Sequence, residues 1–120
     1  MARKKGLTYE QALINALKEF PNPLVDNKHR IVIYWARNNQ SVFEHIVDAR
    51  HGLYPRDIKR IPRKISESIL KRDLDRTDTY NLYIKRNTYS NEYTQISLLL
   101  NFKESNKAVI KTMFITTDLK

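Results

Sequence analysis

The chain has 120 residues, 41% hydrophobic and 29% charged, which is room for one domain with one core and too apolar for wholesale disorder. Lys and Arg number 22 against 13 Asp and Glu, and this formal charge of +9 points to a polyanionic partner, nucleic acid first and an anionic membrane surface second. With no cysteine there is no disulfide framework, thiolate metal site or Cys nucleophile, and no apolar run approaches the ~20 residues of a membrane span.

Residues 1–6 carry a basic flank without an apolar stretch behind it, so no signal peptide is seen. They read as a frayed end or a loose phosphate-binding arm. Thr8 and Gln11 form a capping box, with Leu7 and Ala12 as a weak staple, so a helix is expected from Thr8. Leu13, Ile14, Leu17 and Phe20 give it an apolar stripe, and Pro21-Asn22-Pro23 stops it. Residues 30–35 are β-branched and aromatic, which favours a short additional strand. A second helix is expected from Ser41, with Glu44 closing another capping box and Gly52 as the stop. A third helical segment opens at residues 54–57 and runs to about Lys71. Pro62 either interrupts it or begins a second short helix. Its buried candidates are Ile58, Ile61, Ile65, Ile69 and Leu70.

Residues 79–86, 92–102 and 108–117 are rich in Tyr, Ile, Val, Leu and Thr, and polar breaks separate them. That pattern predicts a three-stranded antiparallel meander. The fold class is therefore α+β, with N-terminal helices packed on one face of the C-terminal meander. Alternation puts Tyr83, Lys85, Tyr93, Gln95 and Ser97 on the more polar face. For the last strand, either Val109, Met113 and Ile115 or Ile110, Phe114 and Thr116 face inward, and Lys111 leaves the choice open. A groove of Lys, Tyr, Gln, Ser and Thr suits a phosphate backbone with aromatic surfaces for bases, although a solvated face has the same pattern. Tyr89, in the first polar break, is counted among its substrate-binding residues.

The stretch Glu44-His45-Ile46-Val47-Asp48-Ala49-Arg50-His51-Gly52 sets two histidines and an arginine near the end of the second helix. Imidazole titrates near neutral pH and guanidinium is a natural phosphate ligand, so the stretch suggests acid–base chemistry on a phosphodiester. Arg50 falls on the apolar side of that helix, with His45 and His51 on its two margins. A surface or capping role is the simpler account of either histidine taken alone. His51, at the terminus, is the better placed, and His29 is set aside in a polar loop. Asp73, Asp75 and Asp78 cluster without the glycine and closing glutamate of an EF-hand. No His-Glu-x-x-His, P-loop or dinucleotide fingerprint occurs, so neither metal nor cofactor is expected.

The strand at residues 30–33, the His45 to His51 pattern, the helical segment after it and the Tyr/Lys/Thr meander together resemble the phage-associated barnase–EndoU–colicin–RelE-like nucleases. The likeness covers roughly residues 25 to 118. It implies a single nuclease-like domain over residues 1–120, a metal-independent endoribonuclease occurring as a toxin or phage-encoded nuclease. The resemblance further implies His51 or His45 as the acid–base group, Lys85 or Arg86 near the scissile phosphate, and Thr116 as a late hydroxyl. Arg50, Arg86, Tyr83, Tyr89 and Ser97 would bind substrate. RNA is the expected partner, with an immunity protein or antitoxin beside it. The expected location is the cytoplasm, the protein's own or that of a target cell into which it is delivered.

The mechanism so implied has a base take the ribose 2′-OH proton and the oxygen attack phosphorus, while an acid protonates the departing 5′-oxygen. Lys85, Arg86 or Arg50 would stabilise charge on the phosphoryl oxygens. The products would be 2′,3′-cyclic phosphate and 5′-OH ends. The alternative is a non-catalytic nucleic-acid-binding module using the same basic groove; an unchanged salt dependence after charge reversal at Lys85 and at Arg86 would move the binding surface to the helical segment from Arg56 to Arg63.

Overall fold

The computed structural model describes residues 8–35, 40–49, 52–100, 106–117 and 119. Helix α1 (Tyr9–Glu19) begins as its sequence predicts: Thr8 Oγ1 accepts the Gln11 N–H at 3.1 Å, and Gln11 Oε1 accepts the Thr8 N–H at 3.3 Å. Leu7 of the expected staple lies outside the described residues. The helix ends before Pro21, which drives Phe20 into an extended conformation.

Helix α2 (Gln40–Ala49) packs Phe43, Ile46 and Val47 into the core against the last strand. It already contains Gln40, so Ser41 is not its cap, and Glu44 instead accepts from Gln40 Nε2 at 3.2 Å. Gly52, the expected stop, has φ +75°, a region that glycine enters without a Cβ penalty.

Helix α3 (Pro55–Lys64) carries Pro55 at its first position, and its entry is held by the Tyr54 N–H donating to Asp57 Oδ2 at 2.8 Å. Pro62 sits inside it and has no N–H to donate to the Ile58 carbonyl. Three residues later the helix tightens into one 3-10 turn, Ile65–Glu67. The buried Ser68 closes that turn, donating both its N–H (3.1 Å) and its hydroxyl (2.6 Å) to the Ile65 carbonyl. The expected helix to Lys71 is therefore corrected: the chain has left the helix, and Ile69–Arg72 is a strand. Ile58 and Ile61 are buried as predicted, while Ile65 and Leu70 are half-buried and Ile69 is exposed.

The expected meander is present as β4 (Thr79–Lys85), β5 (Tyr93–Leu100) and β6 (Lys107–Thr116), all antiparallel. It is the centre of a larger sheet. Strand β3 (Ile69–Arg72) adds antiparallel to β4, and β2 (Ile31–Tyr34) joins β6 in parallel, with Ile33 opposite Ala108. A strand the sequence reading omitted, β1 (Leu24–Asp26), completes an antiparallel hairpin with β2. The buried Asp26 caps that hairpin's turn: its Oδ1 accepts the His29 N–H at 3.2 Å and its Oδ2 lies 2.7 Å from His29 Nδ1. The result is an α+β fold with a mixed six-stranded sheet in the order β1-β2-β6-β5-β4-β3.

One hydrophobic core joins the helices to one face of the sheet. Leu13 and Leu17 of α1, Phe43 and Ile46 of α2, and Ile58 and Ile61 of α3 meet Leu82, Ile96, Leu98 and Ile110. Burying each such side chain contributes about 1.5–3 kcal/mol. In β6 the pairing runs Ser97 to Thr112 and then Leu98 to Ile110, so Lys111 is one residue too many and forms a bulge. Ala108 and Ile110 face the core before it, and Met113 and Ile115 after it. Each of the two alternations weighed for this strand thus holds for half its length. No helix among the described residues is long and apolar enough to cross a membrane.

Candidate nucleic-acid interface

The sheet face turned away from the helices is polar, yet its middle is closed to solvent. Thr79, Asn81, Tyr83 and Gln95 all belong to it and all are buried. Lys71 of β3 donates to the Leu119 carbonyl at 3.3 Å, so that residue lies over this face. Buried polar groups cost free energy unless they are hydrogen-bonded, and these are joined in a chain across the strands. Asn81 Nδ2 donates to Asp73 Oδ2 at 3.1 Å, Ser97 Oγ donates to Asn81 Oδ1 at 3.0 Å, and Gln95 Nε2 reaches Ser97 Oγ at 3.4 Å. Asp73 also accepts the backbone N–H of Asp75 at 2.9 Å and of Arg76 at 3.2 Å. The Asp75 N–H, then the Asn81 amide, hold its carboxyl below the ordinary carboxylate value.

A depression of about 410 Å³ opens on this chain of bonds, with Ser97, Thr112, Phe114 and Thr116 in its wall. Lys111 enters it because of the bulge, and donates to Thr79 Oγ1 at 3.2 Å. A regular strand would have to place two successive side chains, Lys111 and Thr112, on opposite faces; the extra residue lets both line the same depression. Lys111 and Arg76 bring positive charge there, opposed by Asp73 and Asp75.

A second polar surface lies on α3. Arg56, Lys59, Arg60, Arg63 and Lys64 recur at helical spacing, opposite the buried Asp57, Ile58 and Ile61. Each turn of the helix thus presents cations on one side and anchors to the core on the other.

The predicted site residues divide among these surfaces. Thr116 and Ser97 line the sheet depression, whereas Lys85 lines a smaller one beside α3. Lys85, Tyr93 and Thr116 pair as one row across β4, β5 and β6, which sets Lys85 and Thr116 on one face about 10 Å apart. His45 is exposed on α2, in the helix layer, and so is not brought to the sheet depression. His51 and Arg50 lie outside the described residues. Tyr89 is 97% exposed in the loop between β4 and β5.

Two expectations need correction. Tyr83 is on the predicted face but completely buried, edge-on to Tyr93 with ring centroids 6.4 Å apart, and offers no surface to a substrate. Arg86 is committed inside the protein. Its Nε and Nη2 grip the Asp57 carboxylate at 2.9 and 2.7 Å, Nη2 also reaches the Gly52 carbonyl at 2.8 Å, and Nη1 reaches Glu92 at 3.2 Å. The Asp57 bonds, with Glu92, raise its pKa further above the usual arginine value. Alternation alone could not reveal either fact, because both depend on what packs over the strand.

Sequence reasoning missed Asp73 and Asn81 as partners and Lys111 as a site residue. Only Lys111 left a signal, as a charge that fitted neither alternation of its strand. Among the described residues no three His, Asp or Glu side chains converge as metal ligands would. No family model, curated protein or solved structure matches the chain.

Proposed function

We propose that the protein is a nucleic-acid-binding domain that holds single-stranded RNA along the polar face of its sheet. The observation that carries this reading is the bulge that turns Lys111 into a hydrogen-bonded depression. Bulges persist where re-aiming a side chain is worth the lost ladder bond. Lys111 spends one of its three donors on Thr79 and keeps the others for a backbone phosphate. The half-buried Ser97 and Thr112 supply hydroxyls for a ribose 2′-OH, and the buried Asn81 and Gln95 fix Ser97 in place from behind. The net charge of +9 adds the long-range attraction that phosphate binding requires.

Metal-independent cleavage of that RNA is a second reading, favoured by the single cross-strand row that carries Lys85 and Thr116. It needs an acid–base group, for which His51 and His45 are the candidates. One experiment separates the readings: incubate the protein with a labelled single-stranded RNA pool in EDTA, then follow retention and map product ends. Retained, intact RNA supports binding alone. Ends bearing 2′,3′-cyclic phosphate support cleavage. Neither retention nor cleavage at low salt contradicts both.

A further inference from the structure

We infer that the depression between α3 and the end of β4 is a phosphate-binding pocket, formed by Arg60, Lys64 and Lys85 with Asn87 and Thr88. The pocket measures about 290 Å³ and exists because β3 begins only at Ile69, opposite Tyr83, leaving nothing paired outside Lys85. Its cations come from segments remote in sequence. Arg60 is tied to the strand by Nε donating to the Lys85 carbonyl at 3.3 Å, which keeps its two Nη groups for a ligand. Lys64 contacts Glu67 at 3.3 Å, but the Glu67 side chain is well exposed and Lys64 only half-buried, and such a pair is weak. Three positive groups thus converge against one carboxylate. Like charges held together repel, and an anion between them removes that repulsion.

The pocket is also distinct from an ordinary solvated helix face. Arg56, Lys59 and Arg63 of α3 are exposed, whereas Arg60 and Lys64 are half-buried along the pocket wall. The Asn87 side chain has a fixed orientation, because its Oδ1 accepts the Tyr89 N–H at 3.0 Å and its amide nitrogen is left to donate elsewhere. Cations plus neutral donors, without a compensating carboxylate cluster, suit the oxygens of a phosphate group.

The phosphate is taken to be a backbone phosphodiester, and for that source the inference rests on the nucleic-acid reading above. Tyr93 lines this pocket and its row partner Thr116 lines the sheet depression, one strand spacing away. A single strand leaving the sheet can therefore continue over Tyr93 to Lys85. The outer cations Arg56 and Arg63, about 10 Å apart along α3, can take the phosphates that follow.

The test compares the full chain with a Lys64→Gln/Lys85→Gln variant, using inorganic phosphate and a labelled single-stranded RNA as separate probes. Unchanged circular dichroism establishes that the variant folds. For the wild type, inorganic phosphate at low salt should give saturable NMR shifts at the amides of residues 85–88, and the variant should lose the saturation. The slope of log K against log salt for the RNA should fall by about 1.4, which is two contacts at roughly 0.7 each for a single strand. Both results together support the pocket and its polynucleotide source. Saturable phosphate binding in a protein that does not bind RNA keeps the pocket and overturns the source, together with the reading it rests on. RNA binding with an unchanged slope and no phosphate saturation overturns the pocket and leaves that reading intact. Absence of both overturns both.

Discussion

Removing Arg86 should destabilise the protein strongly and leave nucleic-acid binding almost untouched. The guanidinium spends four of its five N–H donors internally: two on Asp57, one on the Gly52 carbonyl and one on Glu92. Side-chain exposures of 15% for Arg86 and 4% for Asp57 put the pair largely out of water. Deleting one partner of a buried pair costs about 3–5 kcal/mol, because the remaining charge is stranded. At this chain length ~4 °C of melting temperature corresponds to each kcal/mol, so Arg86→Met should melt roughly 12–20 °C lower. Asp57→Asn should do comparable damage, since Asp57 also holds the Tyr54 N–H at the start of α3. Thermal and urea unfolding of both single variants and the double variant form a cycle whose coupling reports the pair directly. The RNA salt slope of Arg86→Met, measured well below its melting point, should equal the wild-type slope. A melting temperature within about 3 °C of wild type would refute the energetic argument. A slope lower by about 0.7, one contact on a single strand, would return Arg86 to the substrate-binding role first expected of it.

Other consequences follow from single residues. Gly52 has φ +75° with Ile115 3.9 Å from where a Cβ would stand, so Gly52→Ala fits sterically but should cost about 1–2 kcal/mol in backbone strain, measurable by urea unfolding. The Asp73 carboxyl is held below 3.8, its folded pKa depressed relative to the unfolded chain. By linkage its stabilising contribution is complete above 3.8 and is lost as pH falls through the lower folded value. An NMR titration should therefore show Asp73 more than half ionised at pH 3.8; a midpoint above 3.8 contradicts the assignment.

The parts of the fold that were legible are those set by local chemistry. Thr8 and Gln11 specify the start of α1 through two bonds three residues apart, and the alternation of β4 and β5 specifies their faces. Strand β3 was hidden because Ile61, Ile65 and Ile69 repeat at the spacing of a helix, and only pairing with β4 makes Ile69–Arg72 extended. The parallel contact of β2 with β6 joins segments far apart in sequence, which no local pattern encodes. The candidate site was legible in its composition and face but not in its chemistry. Ser97 stands where alternation put it and Thr116, whose face alternation left open, joins it in the depression, while the partners Asp73 and Asn81 and the bulged Lys111 depend on cross-strand register. Lys85 was correctly placed on the polar face, yet its neighbours Arg60 and Lys64 come from a helix packed there by tertiary contacts.

On the proposed reading, Lys111, through its bulge, places a cation on RNA held against the sheet. The direct measurement is the salt dependence of binding to a labelled single-stranded RNA, followed by fluorescence anisotropy for wild type and Lys111→Ala. Loss of one phosphate contact should lower the slope of log K against log salt by about 0.7, with affinity falling at every salt concentration tested and the fold unchanged by circular dichroism. Equal slopes and affinities for the two proteins would mean that Lys111 holds no phosphate.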